Sequence, residues 1–154
     1  MNIAFFMRPK AEVAYVYDDF TARQALEKLR HHGYTAVPVL NRDGEYVGTL
    51  SEGDLLWLIV NGEGGEPHTV PVEDLEKFKI SNINLKLSGE KNPPVNIMAR
   101  IDELLLRVLG SNFIPIVDDR GIFIGIVTRS VVIKYFYENS LSLEEFMNEE
   151  SVRK

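Results

Sequence analysis

The sequence predicts a mixed α/β (α+β) fold that is built from two copies of one β-α-β-β-α unit. The first observation is an internal repeat, in which Ala36–Asp54 and Phe113–Val131 are similar at a constant spacing of 77 residues. The second is the order of patterns within each copy, where short apolar runs typical of strands alternate with stretches of helical periodicity. The third is a tight turn that ends in glycine between the last two strands of each copy.

The composition is that of an ordinary globular chain. The 154 residues are 45% hydrophobic and 26% charged, so a core can form without disulfides or metals. The absence of cysteine excludes disulfides, thiolate nucleophiles and cysteine-based zinc sites. The net charge of -6 argues against a nucleic-acid partner, because nucleic-acid affinity comes largely from a basic face.

Two stretches bear on localisation. The start MNIAFFMRPK has no basic region before its short apolar run and is therefore not typical of a signal peptide. The longest apolar run, Leu55–Val60, is far shorter than the ~18 residues that a membrane span needs. We therefore expect a cytoplasmic protein that has no membrane partner.

The first copy begins with a predicted strand, Val13–Tyr17, and continues with an amphipathic helix. Thr21 and Gln24 have the spacing of a capping box at the N-terminus of this helix, and Gly33 ends it. The second copy begins with the corresponding strand, Pro94–Ile97. The apolar positions of the first helix share one face and are Ala22, Ala25, Leu26 and Leu29.

Two strands joined by a tight turn follow in each copy, and a second helix completes the unit. That helix begins at Ser51 in the first copy and at Thr128 in the second. Upstream of Pro115 the spacing between the copies becomes 79 residues, so the second copy is predicted to lack counterparts of Thr35 and Ala36, just before its proline. The predicted strand pairs are Val37–Leu40 with Tyr46–Leu50, and Ile114–Val117 with Phe123–Val127.

The segments outside the shared pattern are assigned by composition. Gly, Pro and Glu dominate Asn61–Pro71, which we interpret as a mobile loop, and VEDLEKF after it is predicted to be a short helix. The C-terminal tail is predicted to be helical, with Ser142 and Glu145 as a capping box. The predicted division is a first repeat over residues 2–60, a linker over 61–78, a second repeat over 79–138 and a tail over 139–154.

One motif is common to the two copies. Each has apolar-Pro-apolar-apolar, a turn with Gly, and apolar-Gly-apolar-apolar-Ser/Thr, and the first copy continues with x-x-Asp. This motif resembles the CBS domain, and the resemblance extends from Asn2 to about Tyr137. The chain is thus similar to a stand-alone CBS pair, or Bateman module, of the kind found in small Gram-positive bacterial proteins. The resemblance implies two βαββα repeats packed around a pseudo-two-fold axis, a flat homodimer, and adenosine ligands such as AMP, ADP, ATP, S-adenosylmethionine or cyclic di-AMP.

Ser51 and Asp54 allow two interpretations. Ser-x-x-Asp before an apolar helix has the spacing of a capping box. A helix N-terminus also offers N–H groups and a positive dipole end to a phosphate, and Gly53 would let a ligand approach the backbone closely. By resemblance, Asp54 matches the family's ribose-binding aspartate and Ser51 its hydroxyl on the phosphate side. Main-chain groups near Thr35 and Val37 would then read the adenine edge, and the adenine slot would be lined by Ala14.

The second copy departs from the pattern, because Val131 stands where the aspartate belongs. Thr128 is retained, and Arg129 beside it is interpreted as an anion-binding residue, with a solvated arginine as the alternative. A Thr-Arg pair without the aspartate is similar to CBS pairs that bind cyclic di-AMP. By resemblance, the second nucleotide site consists of Phe113, Ile114, Thr128 and Arg129.

The resemblance implies a regulatory module that senses an adenine nucleotide and signals to an unknown partner protein. The helices at Asp54–Val60 and Val131–Tyr137 are apolar on more than one face, which favours a homodimer. The alternative is a ligand-free dimerisation or protein-docking module. The sequence has no evident Ser-His-Asp set, metal cluster or phosphate-binding glycine loop, so we expect neither an enzyme nor a cofactor other than the nucleotide as regulatory ligand.

Overall fold

The structure is a computed structural model that describes residues 2–61, 70–83, 92–139, 144–145 and 147–148. The chain divides into two compact units, which we call the first unit (Ala14–Pro93) and the second unit (Met1–Val13 with Pro94–Lys154). Each unit has its own sheet and its own apolar core, so the predicted mixed α/β fold is confirmed.

The described residues form short helices and strands in an order that repeats. The helices are α1 (Ile3–Phe6), α2 (Ala22–His32), α3 (Glu52–Asn61), α4 (Ile101–Val108) and α5 (Arg129–Asn139). The strands are β1 (Arg8–Pro9), β2 (Val16–Tyr17), β3 (Ala36–Leu40), β4 (Tyr46–Ser51), β5 (Val95–Asn96), β6 (Phe113–Val117) and β7 (Phe123–Thr128). The predicted order β-α-β-β-α therefore occurs once in each unit.

The two sheets have matching topologies. In the first unit β3 lies between β2, to which it is parallel, and β4, to which it is antiparallel. In the second unit the order is β1-β7-β6-β5, with β5 parallel to β6 and β6 antiparallel to β7. The strands β2 and β5 are shorter than the predicted Val13–Tyr17 and Pro94–Ile97, because each forms only two ladder pairs with its neighbour.

The helix α2 forms as its sequence predicts. Thr21 Oγ1 accepts the Gln24 N–H at 3.2 Å, while Gln24 Oε1 accepts the Thr21 N–H at 2.9 Å. The helix ends at Gly33, whose φ of 67° is the left-handed conformation that glycine adopts most easily. Its inner face, represented by Ala25 and Leu29, is buried in the first core.

Each unit takes an apolar turn from the other end of the sequence repeat. The side chains of Ile3 and Phe6 in α1 are buried in the second core, although they precede the first repeat. The 3₁₀ turn Ile80–Asn82, which precedes the second repeat, buries Ile80 in the first core. The compact units are therefore a different division of the chain from the sequence repeats.

A close approach fixes one glycine in the second unit. The strand β1 pairs with β7 so that Pro9 lies opposite Gly125. A Cβ at Gly125 would collide with the Arg8 carbonyl oxygen and the Met7 side chain. This motif glycine therefore lets the N-terminal segment lie flat on the sheet.

The structure corrects the predicted position of the shortening in the second copy. The Glu52 N–H donates to the Thr35 carbonyl at 2.9 Å, and the Arg129 N–H donates to the Asn112 carbonyl at the same distance. Asn112 is thus the counterpart of Thr35, and the spacing of 77 residues holds there. The prediction that Thr35 and Ala36 lack counterparts is wrong, because the missing residues belong to the helix: α4 has 8 residues and α2 has 11.

The remaining predictions concern the linker and the tail. The short helix predicted after Pro71 is confirmed as a 3₁₀ helix at Val72–Lys77. Most of the predicted loop Asn61–Pro71 (residues 62–69), and Ser142 of the predicted tail capping box, lie outside the described residues. None of the described helices is long and apolar enough to cross a membrane.

Candidate functional site

The start of α3 brings Ser51 and Asp54 together. The Asp54 Oδ2 atom accepts the Ser51 N–H at 2.8 Å and the Ser51 hydroxyl at 3.0 Å. The Ser51 Oγ atom in turn accepts the Asp54 N–H at 3.2 Å. This is the reciprocal arrangement of a capping box, and both side chains are half-buried.

The other residues predicted for the first site belong to the same unit but to different parts of its sheet. Thr35 is exposed, and its carbonyl already accepts the Glu52 N–H. Val37 is fully buried opposite Leu50, so only its main chain is available to a ligand. Ala14 is half-buried two residues before β2, and β3 lies between β2 and the strand that carries Ser51.

The chemistry of the α3 N-terminus suits a ligand that has hydroxyl groups and a phosphate. A carboxylate offers about four lone-pair sites, so Asp54 can accept hydroxyl groups in addition to its capping bonds. The positive end of the helix dipole favours an anion within the first turn. Glu52, the other acid of that turn, is exposed, whereas Asp54 is half-buried beside the serine.

The start of α5 has the same backbone geometry with different side chains. Thr128 Oγ1 accepts the Val131 N–H at 3.3 Å, so Thr128 caps α5 as Ser51 caps α3. Thr128 lies opposite Phe113 in the ladder. Ile114 is fully buried in the second core, so it also offers a ligand only its main chain.

Arg129 has a structural partner that the sequence did not indicate. Its Nε atom donates to the carbonyl oxygen of Val108, the last residue of α4, at 3.0 Å. The C-cap residue of α4, Leu109, has right-handed helical dihedrals, and the left-handed glycine that ends α2 has no equivalent here. The inference that only an anion would attract Arg129 is therefore wrong, because it also satisfies a helix C-terminus.

Sequence reasoning missed Asn112 and a buried polar cluster on β4. The spacing of 77 residues, followed through to the strand, would have identified Asn112. In the cluster, Asn92 Nδ2 donates to Thr49 Oγ1 at 3.3 Å, and the Tyr46 hydroxyl lies 2.8 Å from Thr49 Oγ1. The Tyr46 hydroxyl donates to the Asn92 carbonyl at 2.7 Å, which closes a ring of hydrogen bonds. Thr49 and Ser51 share a face of β4, so this ring is next to the candidate site.

A metal site finds no support among the described residues. No group of three or more His, Asp or Glu side chains comes together in the described ranges. His32 instead stacks on the ring of Tyr34, with centroids 5.3 Å apart.

The sequence profile of the CBS domain matches this chain twice, over residues 3–61 and 91–138. The chain belongs to the CBS domain family. The predicted family is thereby confirmed, and the capped N-termini of α3 and α5 lie near the ends of the two CBS repeats.

Relatives with CBS domains occur in archaea and plants. An uncharacterised protein of Methanopyrus kandleri is 32% identical over 114 residues, covering 74% of this chain and 53% of that protein. The chloroplastic CBS domain-containing protein CBSX1 of Arabidopsis thaliana is 28% identical over 148 residues, covering 86% of this chain and 63% of that protein. The chain thus spans little more than half of these relatives.

A solved CBS-pair structure matches the whole fold. The structure of CbpB in complex with cyclic di-AMP superposes with a TM-score of 0.75 at 25% identity. The match covers 97% of this chain and 91% of that one. The likeness extends the family assignment from sequence to architecture.

Proposed function

We propose that this chain is a regulatory CBS pair that binds an adenine nucleotide at the N-terminus of α3. The observation that carries the proposal is the half-buried Ser51–Asp54 pair, in which a hydroxyl and a carboxylate meet at a positive helix end. The similarity to CbpB, which was solved with cyclic di-AMP, supports a ligand that contains adenosine.

In the proposed complex, each residue of the first site has a distinct role. Asp54 accepts the ribose hydroxyls, and Ser51 donates to a phosphate oxygen while the first-turn N–H groups of α3 face it. Main-chain groups of Thr35 and Val37 read the adenine edge, which agrees with the burial of the Val37 side chain. Ala14 lines the adenine slot.

The second site would hold the phosphate part of a larger ligand such as cyclic di-AMP. Thr128 supplies a hydroxyl, and Val131 supplies no carboxylate for a ribose. Arg129 has five guanidinium donors, so it can bind a phosphate while its Nε atom keeps the bond to Val108. Main-chain groups of Phe113 and Ile114 line this site, and the corrected register adds Asn112.

The proposed output is a shift between two states of a cytoplasmic homodimer that a partner protein recognises. A ligand can move such an equilibrium only by as much as its affinities for the two states differ. Neither catalysis nor a resident cofactor forms part of this proposal.

The test is a thermal-shift panel with AMP, ADP, ATP, S-adenosylmethionine and cyclic di-AMP. A ligand at 100 times its dissociation constant should stabilise the protein by ~2.7 kcal/mol. Asp54→Asn retains an oxygen for the Ser51 N–H but loses the charge, so it should abolish the shift. Glu52→Gln, which removes the exposed acid of the same turn, is the matched control and should preserve it. No shift with any ligand at millimolar concentration would contradict the proposal.

One observation favours the alternative of a ligand-free docking or dimerisation module. Leu56 and Trp57 on α3 are 61% and 67% exposed, which is unusual for such large apolar side chains. Under this alternative Trp57→Glu would weaken self-association in sedimentation, whereas Asp54→Asn would change only stability. Under the nucleotide proposal Asp54→Asn abolishes ligand binding whatever the oligomeric state.

A further inference from the structure

The second unit contains a cavity that the proposed nucleotide site does not use. It lies between α4 and α5 and has a volume of about 580 Å³. Its walls are mostly apolar and include Leu105, Leu109, Val132, Ile133 and Phe136. This volume and this lining are typical of pockets that hold small ligands, which range from ~300 to 1,000 Å³.

The charge of the cavity comes from one side chain. Among the described residues that line it, Arg129 alone is charged. Its half-buried guanidinium gives one of its five donors to the Val108 carbonyl, and that contact holds it against the α4 end of the cavity. The positive end of α5, which begins at Arg129, adds to the same local potential.

These features select a class of ligand. The apolar walls favour an apolar body, and a guanidinium in such surroundings is best satisfied by an oxyanion, to which it forms strong charge-assisted bonds. A purely apolar ligand would leave the charge unmatched, and a strongly polar one would leave the walls without contacts. We infer that the α4–α5 cavity is a binding site for a small amphipathic anion, with an aromatic or acyl body among the helix side chains and a carboxylate or sulfonate on Arg129.

The experiment compares two probes that share one body. The first is 8-anilinonaphthalene-1-sulfonate, and the second is N-phenyl-1-naphthylamine, which has the same rings without the sulfonate. Fluorescence titration of the full chain should show one sulfonate probe bound per chain, more tightly than the neutral probe. No nucleotide is present, so this result is independent of the proposed nucleotide site.

Variants locate the site and the charge. Arg129→Gln can still donate to the Val108 carbonyl but lacks the charge, so it should weaken the sulfonate probe at least about tenfold and leave the neutral probe unchanged. Lys134→Gln removes an exposed cation of the same helix that pairs with Glu138, and it should change neither probe. Ile133→Glu places an anion on the cavity wall, where the side chain is 59% exposed, and should abolish binding of both.

Two results would overturn the inference. If Arg129→Gln left the sulfonate probe unaffected, or if the same position in the other unit, tested as Leu56→Glu, removed as much binding as Ile133→Glu, the probe would not lie in this cavity. If the native chain bound no probe and Ile133→Glu converted a dimer into a monomer in sedimentation, a second copy would cover the cavity instead. Circular dichroism melts of each variant separate loss of binding from loss of fold.

Discussion

The side chains of Ser51 and Asp54 are hydrogen-bonded to each other and to each other's main-chain N–H groups. These contacts stabilise the first turn of α3 in the absence of any ligand. A nucleotide at this helix end would therefore have to share the carboxylate with an existing cap. Gly53 lies between the two residues, and a Cβ there would lie 3.5 Å from Ser51 Oγ, which is an ordinary contact.

Gly53→Ala should separate the structural role of this turn from its proposed ligand role. We expect the free energy of unfolding to rise by up to ~1 kcal/mol, because alanine favours a helix more than glycine does. Nucleotide affinity should fall, because the added methyl stands where the ligand would approach the backbone. Urea unfolding and nucleotide titration measure the two effects. A variant that is less stable would contradict the first expectation, and unchanged affinity would contradict the second.

The ion pair between Asp19 and Arg42 gives a second prediction for single side chains. Arg42 donates to both carboxylate oxygens, at 2.7 and 2.9 Å, and its guanidinium lies 3.9 Å from the centre of the Tyr17 ring. The hydrogen bonds from Arg42 hold the pKa of Asp19 below its ordinary value. The pair therefore stabilises the fold above the unfolded pKa of about 3.9, and this contribution is lost as pH falls through the lower folded pKa.

Arg42→Gln should raise the pKa of Asp19 towards its ordinary value, as measured by NMR titration of the carboxyl carbon. The control is Arg23→Gln, which removes a different surface pair with Glu27 and should not move the Asp19 titration. An unchanged Asp19 pKa in Arg42→Gln would show that another group is responsible.

The helices α2 and α4 occupy the same place in the two units and end differently. The longer α2 ends at Gly33 in the left-handed conformation, whereas the shorter α4 ends near the guanidinium of Arg129 from the start of α5. The capping box of α2 was predictable, because its residues are adjacent in sequence. The end of α4 was not, because its partner lies 21 residues away and its role depends on tertiary contact.

Arg129→Ala should therefore destabilise the chain even when no ligand is present. We expect a loss of about 0.5–1.5 kcal/mol in the free energy of unfolding, because the Val108 carbonyl loses its partner in a half-buried setting. Lys134→Ala is the control on the same helix, and its exposed ion pair should contribute little. If the two variants lost equal stability in urea unfolding, Arg129 would have no capping role.

At the scale of the whole molecule, the chain has two cores that each depend on a distant turn. The side chain of Ile3 is fully buried in the second core, and that of Ile80 is fully buried in the first. The repeat in the sequence predicted the elements of both units, because local pattern determines strands, helices and turns. It did not predict which turn belongs to which core, because nothing in local pattern specifies a partner far along the chain.

A pair of matched variants tests this arrangement. Ile3→Ala should cost about 2–5 kcal/mol, as for other buried aliphatic truncations, and should lower hydrogen-exchange protection in β6 and β7 more than in β3 and β4. Ile80→Ala should have the opposite distribution. Equal loss of protection in all four strands from either variant would show that the two units unfold as one cooperative body.

The closed ring of hydrogen bonds among Tyr46, Thr49 and Asn92 makes a stiff bracket at the point where the chain passes from one unit to the other. Asn92 is held on β4, and the next two residues are Pro93 and Pro94, whose rings fix φ. A bracket of this kind transmits a twist of β4 to the departing chain instead of absorbing it. Movement at Ser51, two residues along the same strand, would thus reach the junction directly and without help from the linker.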